Sequence, residues 1–262
     1  MNKLPALRLA RHAYLDVLAN AQGLLRIGGP WLLLSWALLL LSRSGSALFT
    51  IAADLAVTVG AAAIAVVWHR HILANEPLTV RMAPVDARVG RYFMLTVILA
   101  FMVGAAPLLV LLMTGGTALV GAPDAGAVES EGPGLSLILV PITMLACLYA
   151  ALRLQLMFPA TAIGDQTMTP ARSWALTSTN GWRLLGGFAL ATLPVAVAAI
   201  ALTIALGWAA DATGSIVLSA LADLIAVGNA WLQAPLIASY LAFSYLFFMR
   251  QQGREVVPAA VQ

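Results

Sequence analysis

The chain has 262 residues, of which 61% are hydrophobic and only 10% charged, with a formal net charge of +3 and a single cysteine, Cys147. Soluble domains carry roughly 25% charged residues, so this composition cannot cover a water-soluble globule, and it equally excludes a disordered chain, a nucleic-acid binder and a disulfide-stapled domain. What remains is an all-α polytopic membrane protein: the apolar runs are continuous, whereas barrel strands alternate over ~10 residues.

A spanning helix needs about 20 mostly apolar residues. In chain order, residues 1–28 predict a cytoplasmic amphipathic segment, followed by six spans at about 30–42, 47–68, 92–113, 135–158, 184–208 and 228–249, in one integral domain over 1–262. The first run, with Ser42 to Ala47 behind it, resembles a signal-peptide end, but ~30 residues precede it, which is long for such a leader, so an uncleaved span is expected. In the amphipathic segment Arg8, His12, Asp16 and Asn20 are spaced i,i+4 and predict one polar face, with Leu7, Ala10, Tyr14, Val17 and Leu18 opposite. A second amphipathic stretch, 170–183, opens with Thr169 as N-cap and Pro170 as first helical residue.

Thirteen of the fourteen basic residues, all but Arg43, fall in the N-terminus, the 69–91 and 153–183 links and the C-terminus. By the positive-inside rule these segments face the cytoplasm, as expected for a bacterial inner membrane. The basic charge thus predicts contact with anionic phospholipids and no nucleic acid. Leu18–Gly29 and Leu176–Gly187 share Leu, Gly and a final Gly-Gly, with Gln22 facing Asn180. This faint echo reads either as a duplicated surface-helix-plus-hairpin unit or as chance in an apolar chain.

Polar residues inside spans are the functional candidates, because lipid penalises them. Asp54 in the second span and Asn229 and Gln233, one turn apart in the sixth, predict an intramembrane polar cluster. It reads as an outward-opening ion or proton site or as a packing contact; Arg43 is an alternative partner for Asp54. Arg153 in the fourth span predicts either a buried pair with Asp165 or Glu76, or snorkelling to the inner headgroups. Trp68-His69-Arg70-His71 and Glu76 predict an inner-face headgroup cluster together with Arg172 and Arg183, anchored by the interfacial Trp68, Trp174 and Trp182. A metal site is not expected, because residues 69 and 71 diverge by about 200° on a helix. No zinc helix, nucleophile elbow, Walker loop or dinucleotide fingerprint occurs, so no catalytic residue and no cofactor is expected.

Trp68-His69-Arg70-His71-Ile72-Leu73 through Glu76-Pro77, Gly90-Arg91-Tyr92, Phe158-Pro159-Ala160-Thr161-Ala162 through Gly164-Asp165, Ser173-Trp174 and Thr179-Asn180-Gly181-Trp182-Arg183 form a further pattern. It resembles uncharacterised bacterial inner-membrane proteins of the YciC-like group and the membrane domain attached to some glycerophosphodiester phosphodiesterases. The resemblance implies a six-span bundle with surface helices and carries no enzyme activity over, since no soluble phosphodiesterase domain is read here. The expected function is that of a non-enzymatic accessory, assembly or envelope-homeostasis protein acting through other membrane protein subunits; the alternative is a transporter or channel for a small or lipidic substrate.

Overall fold

The computed structural model describes residues 3–113 and 134–253. They form nine helices: α1 (Ala6–Ala19), α2 (Ala21–Ser42), α3 (Ala47–Ala74), α4 (Ala87–Met113), α5 (Gly134–Leu154), α6 (Met157–Ile163), α7 (Pro170–Thr177), α8 (Gly181–Thr213) and α9 (Ile216–Gln251). Six segments, α2, α3, α4, α5 with α6, α8 and α9, are long and apolar enough to cross a membrane. The expected 115–134 loop lies almost wholly outside the described residues.

Three expected boundaries shift. The first span begins at Ala21 rather than near residue 30, because Pro30 sits inside α2 and a membrane helix tolerates an internal proline. The sixth begins at Ile216, twelve residues early, and so takes in Asp223. The fourth is broken after Leu154: Pro159 has no N–H for the Gln155 carbonyl, and its ring clashes with that turn. The chain tightens instead, with Gln155 N–H donating to Leu152 O (3.2 Å) and Phe158 N–H to Gln155 O (3.1 Å).

α9 is the hub, packed against α1, α2, α3, α6 and α8. From Ala234 to Met249 it is buried almost all round, alternating small Ala and Ser with large Leu, Tyr and Phe. Two glycines let helices close on this hub. A Cβ at Gly60 of α3 would strike the Trp231 ring and lie 3.0 Å from Trp31, and one at Gly187 of α8 would strike Tyr240. Tyr240 donates its hydroxyl to Leu184 O (3.0 Å).

α1 is docked, not merely laid on a surface. Leu9, Ala10, Ala13 and Val17 are buried, and the polar face expected from Arg8 to Asn20 is split. Arg8 and His12 are exposed, while Asp16 turns inward and accepts from Trp68 Nε1 (2.9 Å) and Ser239 Oγ (2.8 Å). The N-terminal strand of chain is pinned too, with Leu4 N–H donating to Asn180 Oδ1 (2.8 Å) and Arg183 to Leu4 O (3.3 Å). Tyr14 donates to Leu190 O (3.4 Å), the carbonyl that Pro194 deprives of its helical donor. The 75–86 segment folds back on α2, with Ala83 N–H donating to Ile27 O and Trp31 Nε1 to Ala83 O, both 3.0 Å.

α4 and α5 form an outlying hairpin. α4 rests on α3 and α6, α5 on α8 and α7. Among the described side chains of α5, burial is confined to the last residues, Ala151, Leu152 and Arg153. Farther out, Phe101, Leu109, Leu112, Leu137 and Ile142 are exposed.

Candidate functional site: a cavity beside a broken helix

The intramembrane polar residues do not assemble as expected. Asn229 and Gln233 do meet (3.4 Å), and Gln233 Nε2 donates to Thr192 O of α8 (2.9 Å), which makes them a link between α8 and α9. Asp54 is not in that cluster. It lies about 120° around α3 from Gly60 and is exposed, and only its carbonyl is engaged, by Thr58 Oγ1 (2.8 Å). Arg43 does not pair with Asp54 but with Asp223 (2.5 Å) and Ser219 (2.6 Å), tying α2 to the start of α9.

At the basic end, the expected headgroup cluster is largely internal. Trp68 is wholly buried, so it is a core residue rather than an interfacial anchor. His69 is buried as well and makes no headgroup contact; its Nε2 lies 3.4 Å from the Tyr92 hydroxyl. Arg70 and Glu76 form an ion pair, and His71 Nδ1 meets Glu76 O (2.8 Å), so this group closes the end of α3 around Asn75, which takes the left-handed conformation. The two histidines therefore point to different partners. Among the described residues, no group of three or more His, Cys, Asp or Glu comes together.

Arg153 pairs with neither Asp165 nor Glu76 and does not snorkel. It is buried under α7, donating to Trp174 O (2.6 Å) and Thr177 Oγ1 (3.2 Å), with its guanidinium 3.7 Å from the Trp174 ring. The carbonyl end of a helix and an aromatic face both favour a cation. Trp174 and Trp182 are exposed, Trp182 stacked on Tyr149, and Arg183 is exposed beside the N-terminal strand. Asp165 accepts from Tyr245 (2.5 Å) and from Thr167 through both N–H (2.8 Å) and hydroxyl (2.7 Å). Arg172 donates to Gln252 (2.8 Å). Burial pushes the Asp165 carboxyl up, but the bonds from Tyr245 and Thr167 and the charge of Arg172 outweigh it, leaving it below its ordinary value.

Three sizeable hollows stand out among the described residues. One, about 760 Å³, is a groove between α2, α8 and α9 with Tyr14 at its inner end. A second, about 580 Å³, lies between α1 and the end of α9 and includes His12 and Arg250. The third, about 360 Å³, lies between the α4–α5 hairpin and the wall made by α3, α8 and α9. It is the smallest, yet it has the most specific chemistry. Tyr92 and Thr96 come from α4, Gln155 from the break between α5 and α6, Phe158 from the start of α6, Thr58 from α3 and Phe188 from α8. None of its described lining residues is charged.

The hydrogen bonds of the lining side chains are mostly made within their own helices. Thr96 donates to Tyr92 O (3.0 Å) and Thr58 to Asp54 O, so both hydroxyl protons are spent on their own helices. Tyr92 packs against Phe158 with the rings tilted by 44° (centroids 4.6 Å apart), and its hydroxyl lies 3.4 Å from His69 Nε2. Gln155 Oε1 is buried without a partner. Irregular backbone at membrane depth persists where it lines a cavity or is buried in protein, and broken helices build binding sites in many transport folds. The sequence signal for the break is Pro159, a proline four residues after a glutamine in an apolar run.

The chain matches no protein-family model, no curated protein and no solved structure.

Proposed function

We propose that this chain is a non-enzymatic multi-pass protein of a bacterial inner membrane, with both termini cytoplasmic, that recognises its target from within the bilayer and serves as an accessory or assembly component. The observation that carries this reading is the crevice between the α4–α5 hairpin and the α3–α8–α9 wall. The hairpin docks mainly through its basic end, and its outward half offers a row of exposed apolar side chains beside the cavity. Without a hydrophobic driving force between helices in lipid, association rests on fit and hydrogen bonds, and the crevice supplies both. The cavity presents an amide, a phenol and two threonines, a set suited to binding rather than to acid–base work. The bias of basic residues supports the orientation, which a reporter fused to the C-terminus tests.

Extraction into lipid nanodiscs followed by native mass spectrometry tests the reading. A stoichiometric polypeptide or a retained lipid supports recognition in the membrane plane. A bare monomer carrying neither overturns it. The break at Gln155 favours a second reading, a carrier of a lipidic substrate; flux of such a substrate into proteoliposomes supports it, and its absence counts against it.

A further inference from the structure

We infer that the hollow between α1 and the end of α9 seats one anionic phospholipid, its phosphate on Arg250 and His12 and the start of its chains against Phe243, Leu246 and Phe247. The site shares no lining residue with the crevice at the α5–α6 break and does not rest on the reading of lateral recognition above. Two contacts set the geometry. His12 meets Phe243 edge-on, with ring centroids 6.1 Å apart and 81° between the planes. Asp16, one turn later in α1, accepts from Ser239, one turn earlier in α9 (2.8 Å). The helices therefore run antiparallel here, and between them lies a hollow of about 580 Å³, within the range of about 300–1,000 Å³ for ligand sites.

Charge decides the headgroup. Arg250 and His12 line the hollow and are exposed, so a ligand reaches them. Arg8, one turn before His12, is exposed as well. No carboxylate is among the described lining residues. Other arginines of the basic end are spent inside the chain: Arg70 on Glu76, Arg153 on Trp174 O and Thr177, Arg172 on Thr167 and Gln252, Arg183 on Leu4 O. Arg250 has no ion-pair partner among the described residues. A guanidinium fork matches phosphate oxygens with two parallel bonds. A zwitterionic headgroup would bring an ammonium to a site that holds cations and no carboxylate, so the net charge of the ligand is negative. The floor decides the source. Phe243, Leu246 and Phe247 are half-buried. A free phosphate would leave their open faces in water, whereas a lipid covers them with its chains. Lipid also reaches this place. Leu7, Leu15 and Leu18 of α1 are 71%, 50% and 70% exposed, and with Arg8 and Arg11 they form the side-chain set of a helix lying at the headgroup boundary.

The test uses the full chain in phosphatidylcholine nanodiscs doped with a phosphatidylglycerol that carries a photoreactive group near the start of one chain. Expected is labelling of peptides carrying Phe243 or Phe247, displaced by unlabelled phosphatidylglycerol although phosphatidylcholine is in large excess. Arg250→Gln is expected to weaken labelling about tenfold, the lower end for a hydrogen bond to a charged group, and His12→Ala about threefold. Arg11→Gln removes an exposed cation that lines none of the three hollows and is expected to change labelling by less than about twofold. Equal losses in Arg250→Gln and Arg11→Gln would mean that diffuse surface charge holds the lipid, which overturns the site. Three results in the native chain overturn it without any variant. Displacement by water-soluble glycerol phosphate as strong as by phosphatidylglycerol would make this a site for free phosphate. Equal displacement by oleate would remove the part assigned to phosphate. Labelling confined to other helices would leave the hollow empty of lipid. Each of these leaves the reading of lateral recognition standing, because that reading is tested at peptides of the crevice, which carry Tyr92, Phe158 and Phe188.

Discussion

α4 and α9 are the two extremes of the bundle. α4 is the most apolar span, with mean hydropathy 2.6 over its best window, and α9 among the least, at 1.5. In water the more apolar helix would sit at the centre. Here the order is inverted: α9 is the hub, while α4 buries only Val89, Tyr92, Leu99 and Pro107. Lipid tails solvate leucine as well as protein does, so hydropathy marks what faces lipid, and protein–protein contact falls to small and hydrogen-bonding residues. α9 supplies those with Ser239, Tyr240 and Gln233, each bonded to another helix, and α3 supplies them with Gly60 and a run of buried alanines.

The sharpest way to break this contrast is to place the same change in both regions. Gly60→Leu drives a side chain into Trp231 and Trp31, and overpacking of two rings is expected to cost about 3 kcal/mol or more. Gly104→Leu in α4 meets open space and is expected to stay within about 0.5 kcal/mol. Thermal unfolding in detergent compares them; equal losses would mean that the hairpin is packed as tightly as the hub. A smaller effect is expected from Asp16→Ala, which leaves Trp68 Nε1 and Ser239 Oγ without their carboxylate. Those two groups also bond each other (2.7 Å), so the loss is expected at about 1 kcal/mol, the lower end for an orphaned buried donor. Hydrogen exchange should show α1 opening while α4 and α5 are unchanged.

The number of spans and the clustering of basic charge could be read from the sequence because both depend on composition alone. Inward and outward faces could not. Arg8, His12, Asp16 and Asn20 look like one stripe, yet each i,i+4 step advances about 40° around the helix, so the stripe starts in solvent and ends against α3 and α9. Trp68 and His69 sit where the spans end, and hydropathy cannot distinguish a headgroup anchor from a buried tryptophan whose N–H meets a carboxylate across 52 residues of chain. Asn229 and Gln233 were recoverable because their contact is local, one turn apart. Arg153 was not, because its partners are a helix's carbonyl end and an aromatic face, and neither appears as a charge in the sequence. The cavity was hidden for a related reason: it depends on where a hairpin departs from the wall, which no periodicity records.

The weakest expected effect concerns the tether between the basic-end loop and the hub. Asp165 accepts from Tyr245 of α9 and lies near Arg172, and its carboxyl is held below its ordinary value of 3.8. A carboxylate whose folded value is depressed contributes stability that is fully present above the unfolded value and is lost as pH falls through the folded one. The native chain and Asp165→Asn should therefore differ most at neutral pH, and the gap should close as pH drops below about 4. Asp165 is partly exposed, so screening keeps the difference small. It is best measured as the difference in unfolding temperature between the two chains over pH 3 to 7. A gap that persists unchanged at the acid end would mean that the Asp165 charge does no work in holding the loop. The contrast between hub and hairpin would then rest on shape, with no electrostatic part at this end of the bundle.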